Sequence, residues 1–161
     1  PAAFKEGGLT TAGNSSSIND GASAVLLGAE GALPDEPLAR ITGRAAHGVD
    51  PDDFPIAPIE AANKALARAG RTWADVDFVE LNEAFAAQAL AVLSEWGISW
   101  EDKRLNPLGS GISLGHPVGA TGARMVVTLA HRMQREDTRY GLATMCIGGG
   151  QGLAAIFEKE N

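Results

Sequence analysis

The chain has one cysteine, one tyrosine and few aromatics of any kind, 6% in all. The lone thiol, Cys146, excludes an internal disulfide and fits a reducing compartment, so a cytoplasmic location is expected. No apolar run reaches the roughly 18 residues of a helical membrane span. Basic residues are scarce: 13 Lys and Arg stand against 20 Asp and Glu, a net charge of −7. That balance argues against nucleic acid as a partner. No Walker A motif occurs, and Gly109-x-Gly111-x-x-x-Gly115 lacks the spacing of a dinucleotide fingerprint. No metal site is expected. There is also no initiating Met and no signal-peptide pattern. The chain opens Pro1-Ala2-Ala3-Phe4-Lys5, reads as a piece of something longer, and leaves organellar targeting open.

What is present suffices for a core. Hydrophobic residues make up 45% of 161 residues, the size of one domain, or one domain plus part of another. Residues 7–21 are small, polar and turn-forming, and read as a surface loop or a hydroxyl-rich ligand loop. Residues 22–28 are a short apolar run suited to a buried strand, and 38–44 suit a second strand. Residues 29–37 read as a connector. Pro58 opens a helix to Ala69, closed by Gly70, with Ile59, Ala62, Leu66 and Ala69 on its apolar face. Residues 76–81 alternate apolar and acidic, as a half-buried strand does. Asn82 follows as a candidate N-cap for a helix carrying Phe85, Ala89, Val92 and Trp96. A further helix after Pro117 runs to about Arg135, with Val126, Val127, Ala130 and Met133 as its stripe. Residues 141–147 and 153–157 read as strands joined by the Gly148–Gly150 turn, an expected antiparallel pair. The order β-β-α-β-α-loop-α-β-β predicts a layered α/β domain.

Three polar side chains stand at element ends: Asn82 after a strand, His116 before a helix, Cys146 before three glycines. Ligands of open α/β sheets gather at the carboxyl ends of strands. Cysteine supplies a thiolate or a movable proton, and histidine a base or donor near neutral pH. A helix N-terminus disfavours imidazolium, so a neutral His116 is expected. Gly148 leaves a bare backbone N–H, as an oxyanion hole requires. The combination suggests acyl transfer. Each residue also has a plain structural use: Cys146 as a small buried hydrophobe, Asn82 as a cap, His116 as a helix-start residue. A self-contained Cys-His-Asn acyl enzyme and a non-catalytic CoA-ester-binding or dimerising module therefore remain open. His47 and His131 have no comparable context. Trp73, Trp96 and Trp100 read as core or interface.

Four motifs carry a resemblance. They are Thr11-Ala12-Gly13-Asn14-Ser15-Ser16 with Asn19-Asp20-Gly21-Ala22; Asn82-Glu83-Ala84-Phe85; Gly115-His116-Pro117 with Gly119-Ala120-Thr121-Gly122; and Cys146-Ile147-Gly148-Gly149-Gly150. In this order the sequence resembles the C-terminal half of the thiolases, the 3-ketoacyl-CoA thiolases and acetyl-CoA acetyltransferases. The resemblance implies a thiolase-like layered α/β domain with a mixed central sheet, from 22 to 161, preceded over 1–21 by a CoA-facing loop region. It implies that a cysteine in the N-terminal half takes the acyl group. His116 would activate that thiol and, with a water held by Asn82, polarise the thioester carbonyl. Cys146 would move the α-carbon proton, Gly148 would serve the oxyanion hole, Ser16 would touch the pantetheine arm, and Phe85 would line the acyl pocket. CoA thioesters are implied as substrates, with no cofactor, and the N-terminal half and a second subunit as partners. The chain departs from the family pattern at Pro55-Ile56-Ala57-Pro58, where Gly-x-Gly-Pro is common. It departs again at Leu108 and Ser110, which replace the usual Asn and Gly. A lone half would expose an apolar face and oligomerise.

Overall fold

The computed structural model describes residues 1–32 and 34–160; Leu33, in the expected connector, and Asn161 lie outside the described residues. Strand β1 (Arg40–Gly48) is followed by α1 (Pro58–Ala69), β2 (Phe78–Leu81) and α2 (Ala86–Trp96). A single turn, α3 (Gly111–Leu114), precedes α4 (Thr121–Glu136), β3 (Tyr140–Ile147) and β4 (Gln151–Glu158). The sheet order is β1-β4-β3-β2. Strands β3 and β4 form the expected antiparallel pair, β1 lies antiparallel to β4, and β2 runs parallel to β3. The sheet is therefore mixed, as expected.

The pleat sorts side chains between two helical layers. Val79, Leu81, Leu142, Ala154 and Ile156 pack with α1 and α2. Phe78, Ala143 and Phe157 point the other way, onto Met125, Leu129 and Met133 of α4. Of the expected α4 stripe Ala130 and Met133 are buried, whereas Val126 and Val127 are half-buried and Met125 and Leu129 join the core instead. Helix α1 sits close to the sheet because both surfaces are small. Its buried face is Ala61, Ala62, Ala65 and Leu66. Opposite it, a Cβ added to Gly43 would come within 2.4 Å of the Ala65 carbonyl oxygen.

Three expectations need correction. Residues 22–28 form no strand and lie exposed, with Leu26 80% and Leu27 70% accessible. Among the described residues no strand pairs with this run, and without a ladder an apolar run does not become a strand. The strand expected at 38–44 is β1, which extends to Gly48. Its small Ala45 and Ala46 carry little alternation. Asn82 is not the cap of α2: Phe85 holds that position, and the Gln88 carboxamide accepts from the Ala84 N–H at 3.2 Å.

Candidate active site

Asn82 extends the parallel ladder beyond β2, its N–H donating to the Thr144 carbonyl at 3.0 Å. It is fully buried. Its Nδ2 lies 3.5 Å from His116 Nε2, while its Oδ1, also buried, has no protein partner. His116 enters from the loop between α3 and α4. That loop needs Gly115, whose φ is 95° and whose Cβ would fall 2.3 Å from Asn19 Oδ1. The helix begins five residues later than His116, at Thr121, so the helix dipole acts on the imidazole less directly than expected.

The ring is held on its far side. His116 Nδ1 lies 2.7 Å from Thr121 Oγ1, and that hydroxyl lies 3.0 Å from the Pro117 carbonyl. With its proton on the carbonyl, the hydroxyl accepts Nδ1–H, and Nε2 keeps its lone pair toward Asn82. Burial, and secondarily the Arg124 charge, hold His116 below the usual histidine range. A neutral imidazole was expected, and its cause is desolvation.

The polar loop before β1 packs against His116 and against the segment that follows Asn82. The Ser16 N–H donates to the Ala84 carbonyl at 2.9 Å, and Ser15 bridges Phe85. The His116 N–H donates to the Ser17 carbonyl at 3.1 Å and to Asn19 Oδ1 at 3.2 Å. The structure so gathers Ser16, Asn82, Phe85 and His116. Phe85 is half-buried, with the Phe4 ring edge-on to it at 5.4 Å. Cys146 lies near the end of β3, two residues past the Thr144 that pairs with the end of β2. It is buried, and burial pushes its thiol up. It is therefore protonated at neutral pH, the form of a proton donor. Gly148 follows in an exposed turn where an added Cβ would meet nothing within 4 Å. His47 instead faces Lys64, and His131 is exposed.

An ion pair behind the site was not legible as such. The alternation of residues 76–81 reads Glu80 as solvent-facing, yet it is 1% exposed. It faces α4, where its Oε2 accepts from Arg124 Nη1 at 3.1 Å. Desolvation outweighs that attraction, and Glu80 is pushed up to about 7. An acid with a folded pKa above its unfolded value favours folding fully at low pH and costs stability as pH rises between the two. Glu80→Gln keeps an acceptor for Arg124 and removes the titration. Between pH 4 and 8 the parent should lose about 3 kcal/mol relative to this variant, read from urea unfolding. Parallel pH profiles would contradict the assignment.

The family model described as "Thiolase, C-terminal domain" matches residues 35–159. The chain belongs to the thiolase family. The family's N-terminal domain model matches residues 1–31. The acetyl-CoA acetyltransferase of Chromobacterium violaceum is 52% identical over 160 residues, 98% of this chain and 40% of that protein. The Cupriavidus necator protein named Beta-ketothiolase BktB is 50% identical over 163 residues, covering 99% of this chain and 41% of its own length. The Bacillus anthracis acetyl-CoA acetyltransferase crystal structure superposes with a TM-score of 0.90 at 44% identity, over 99% of this chain and 41% of that one. Human mitochondrial 3-ketoacyl-CoA thiolase in complex with CoA also gives 0.90, at 39% identity, over 100% of this chain and 41% of that one. This thiolase chain thus spans about 40% of the length of its matched relatives. Among its described residues no helix is long and apolar enough to cross a membrane, and no acidic, His or Cys group could hold a metal ion.

Proposed function

We propose that this chain is the acid/base and oxyanion half of a thiolase site, acting in acyl transfer between CoA thioesters. The reaction is thiolytic cleavage of a 3-ketoacyl-CoA or, in reverse, condensation of acetyl-CoA. The observation that carries the reading is the contact of neutral His116 with buried Asn82, beside a strand end holding a protonated Cys146.

In this reading a thiol in the N-terminal part of the protein gives its proton to His116 Nε2 and attacks the keto carbon. When the carbon–carbon bond breaks, its electron pair goes to the α-carbon, which takes the Cys146 proton. The Cys146 thiolate left behind takes the proton of the incoming CoA thiol. That CoA sulfur attacks the acyl-enzyme, and the expelled cysteine thiolate recovers its proton from His116. The orphan Asn82 Oδ1 and its Nδ2 suit a water that, with the protonated Nε2, faces the thioester oxygen. The Gly148 N–H faces the second oxyanion. Ser16 meets the pantetheine arm and Phe85 the acyl group. The N-terminal half is the partner that completes the site, and the assembled enzyme is a homo-oligomer in a cytoplasmic setting.

The test joins this chain to the part of the Chromobacterium violaceum relative that precedes the matched region. The joined protein should cleave acetoacetyl-CoA in the presence of CoA, and this chain alone should not. Cleavage by the chain alone, or none by a folded joined protein, would overturn the reading.

A further inference from the structure

The outer edge of β2 is covered by a loop, and the loop changes its means of pairing just where Asn82 begins. Over 104–106 it pairs by backbone: the Val79 N–H donates to the Arg104 carbonyl at 2.9 Å, and the Asn106 N–H donates to the Val79 carbonyl at 2.9 Å. Then the chain turns away, with Asn106 at φ 39°, a left-handed value that asparagine tolerates better than most residues. From there the Asn106 side chain replaces the missing strand. Its Oδ1 accepts from the Leu81 N–H at 2.8 Å, and its Nδ2 donates to the Leu81 carbonyl at 2.8 Å. The same Nδ2 reaches Glu83 Oε1 at 2.9 Å. Ser110, wholly buried, completes the span: its hydroxyl donates to the Leu81 carbonyl at 2.9 Å and accepts from the Glu83 N–H at 3.3 Å. On the opposite edge Asn82 is tied to Thr144. Its backbone is therefore fixed from both sides, one residue before and one after.

We propose that Asn106, assisted by Ser110, is the positioning residue of Asn82: a carboxamide serving as a one-residue strand that aims the Asn82 side chain at His116. The proposal rests on the reading of Asn82 as a group that acts in acyl transfer. Neither Asn106 nor Ser110 touches the reacting atoms. What they supply is direction, because a side chain at a strand exit points where the backbone around it is held. Gly111 leaves room for the same side chain, since a Cβ there would stand 2.9 Å from Asn82 Oδ1. Asparagine is required at 106 in place of aspartate, because Nδ2 faces a carbonyl and a carboxylate, both acceptors.

The test uses the joined enzyme. Asn106→Gly keeps the positive φ and deletes the carboxamide. It should lower kcat for acetoacetyl-CoA thiolysis by about 10- to 100-fold, with KM for CoA within about twofold. Ser110→Ala, a smaller lesion, should lower it by about 3- to 10-fold in the same manner. In an Asn82→Ala background Asn106→Gly should add less than about twofold, since residues acting through one another are not additive. Leu81 amide exchange in this chain should accelerate at least about tenfold in Asn106→Gly. Normal dependence on Asn82 with an unaffected kcat in Asn106→Gly, or with effects that multiply in the double variant, would overturn the proposal alone. An unchanged kcat in Asn82→Ala would overturn the reading of the site, and this proposal with it.

Discussion

Cys146→Ala in the joined enzyme is expected to lower kcat for acetoacetyl-CoA thiolysis by about 1,000-fold, within the range of a lost general acid or base. The loss should fall on the carbon acid step. Solvent deuterium incorporation into the acetyl-CoA methyl group should drop in parallel, because in the proposed role one thiol serves that proton in both directions. Burial makes the residue suited to this: it pushes the thiol up, so the group starts protonated and a resting thiolate does not build up. Cys146→Ser should rescue little, since a hydroxyl is a far weaker acid. Stability should fall by no more than about 1 kcal/mol, since only one buried heavy atom is removed. A loss under tenfold, with undiminished deuterium exchange, would exclude Cys146 as the proton donor.

The second large effect is structural. A Cβ on Gly152 of β4 would stand 2.4 Å from the Ala57 carbonyl carbon, 2.5 Å from its oxygen and 2.7 Å from the Pro58 nitrogen. All three are backbone atoms at the start of α1, so no side chain can swing aside. The helix would have to lift, and its buried contacts with the sheet, Ala61, Ala62, Ala65 and Leu66, would be lost. Gly152→Ala should therefore cost at least about 3 kcal/mol, at the upper end for overpacking. Urea unfolding at pH 7 measures it. Gly119→Ala is the matched comparison: nothing lies within 4 Å of its Cβ position, and its effect should stay within about 0.5 kcal/mol. A tolerated Gly152→Ala would mean that α1 does not sit as close to β4 as described.

These two residues mark what a sequence carries and what it does not. Helices α1, α2 and α4 and strands β2, β3 and β4 were legible because their apolar periods and stop signals agree. Gly70, the expected stop, ends α1 with positive φ, and Gly97 ends α2 in the same way. Residues 22–28 misled because an apolar run specifies burial, while a strand also needs a neighbour to pair with. Glu80 misled for the converse reason. Alternation assigns it to solvent, but α4 covers that face and brings Arg124 to it. At the site, Asn82 and His116 were found as residue types at element ends, and the structure brings them into contact. Asn106 and Thr121 were not found. Their roles depend on which atom a side chain reaches across a turn, and only a left-handed Asn and a helix-start Thr hint at them. The exposed apolar surface expected of a lone half is present at Leu26 and Leu27, and a cavity of about 180 Å³ lined by Met125, Val126, Met145 and Leu153 opens beside α4.

The central claim is that Cys146 moves a proton and does not carry the acyl group. Peptide mass mapping of the joined enzyme, quenched with acid during turnover of acetoacetyl-CoA, tests this directly. An acetyl group is expected on a cysteine of the N-terminal part, with the Cys146 peptide unmodified. An acetyl group on Cys146 would contradict the claim and make Cys146 the acyl-carrying nucleophile.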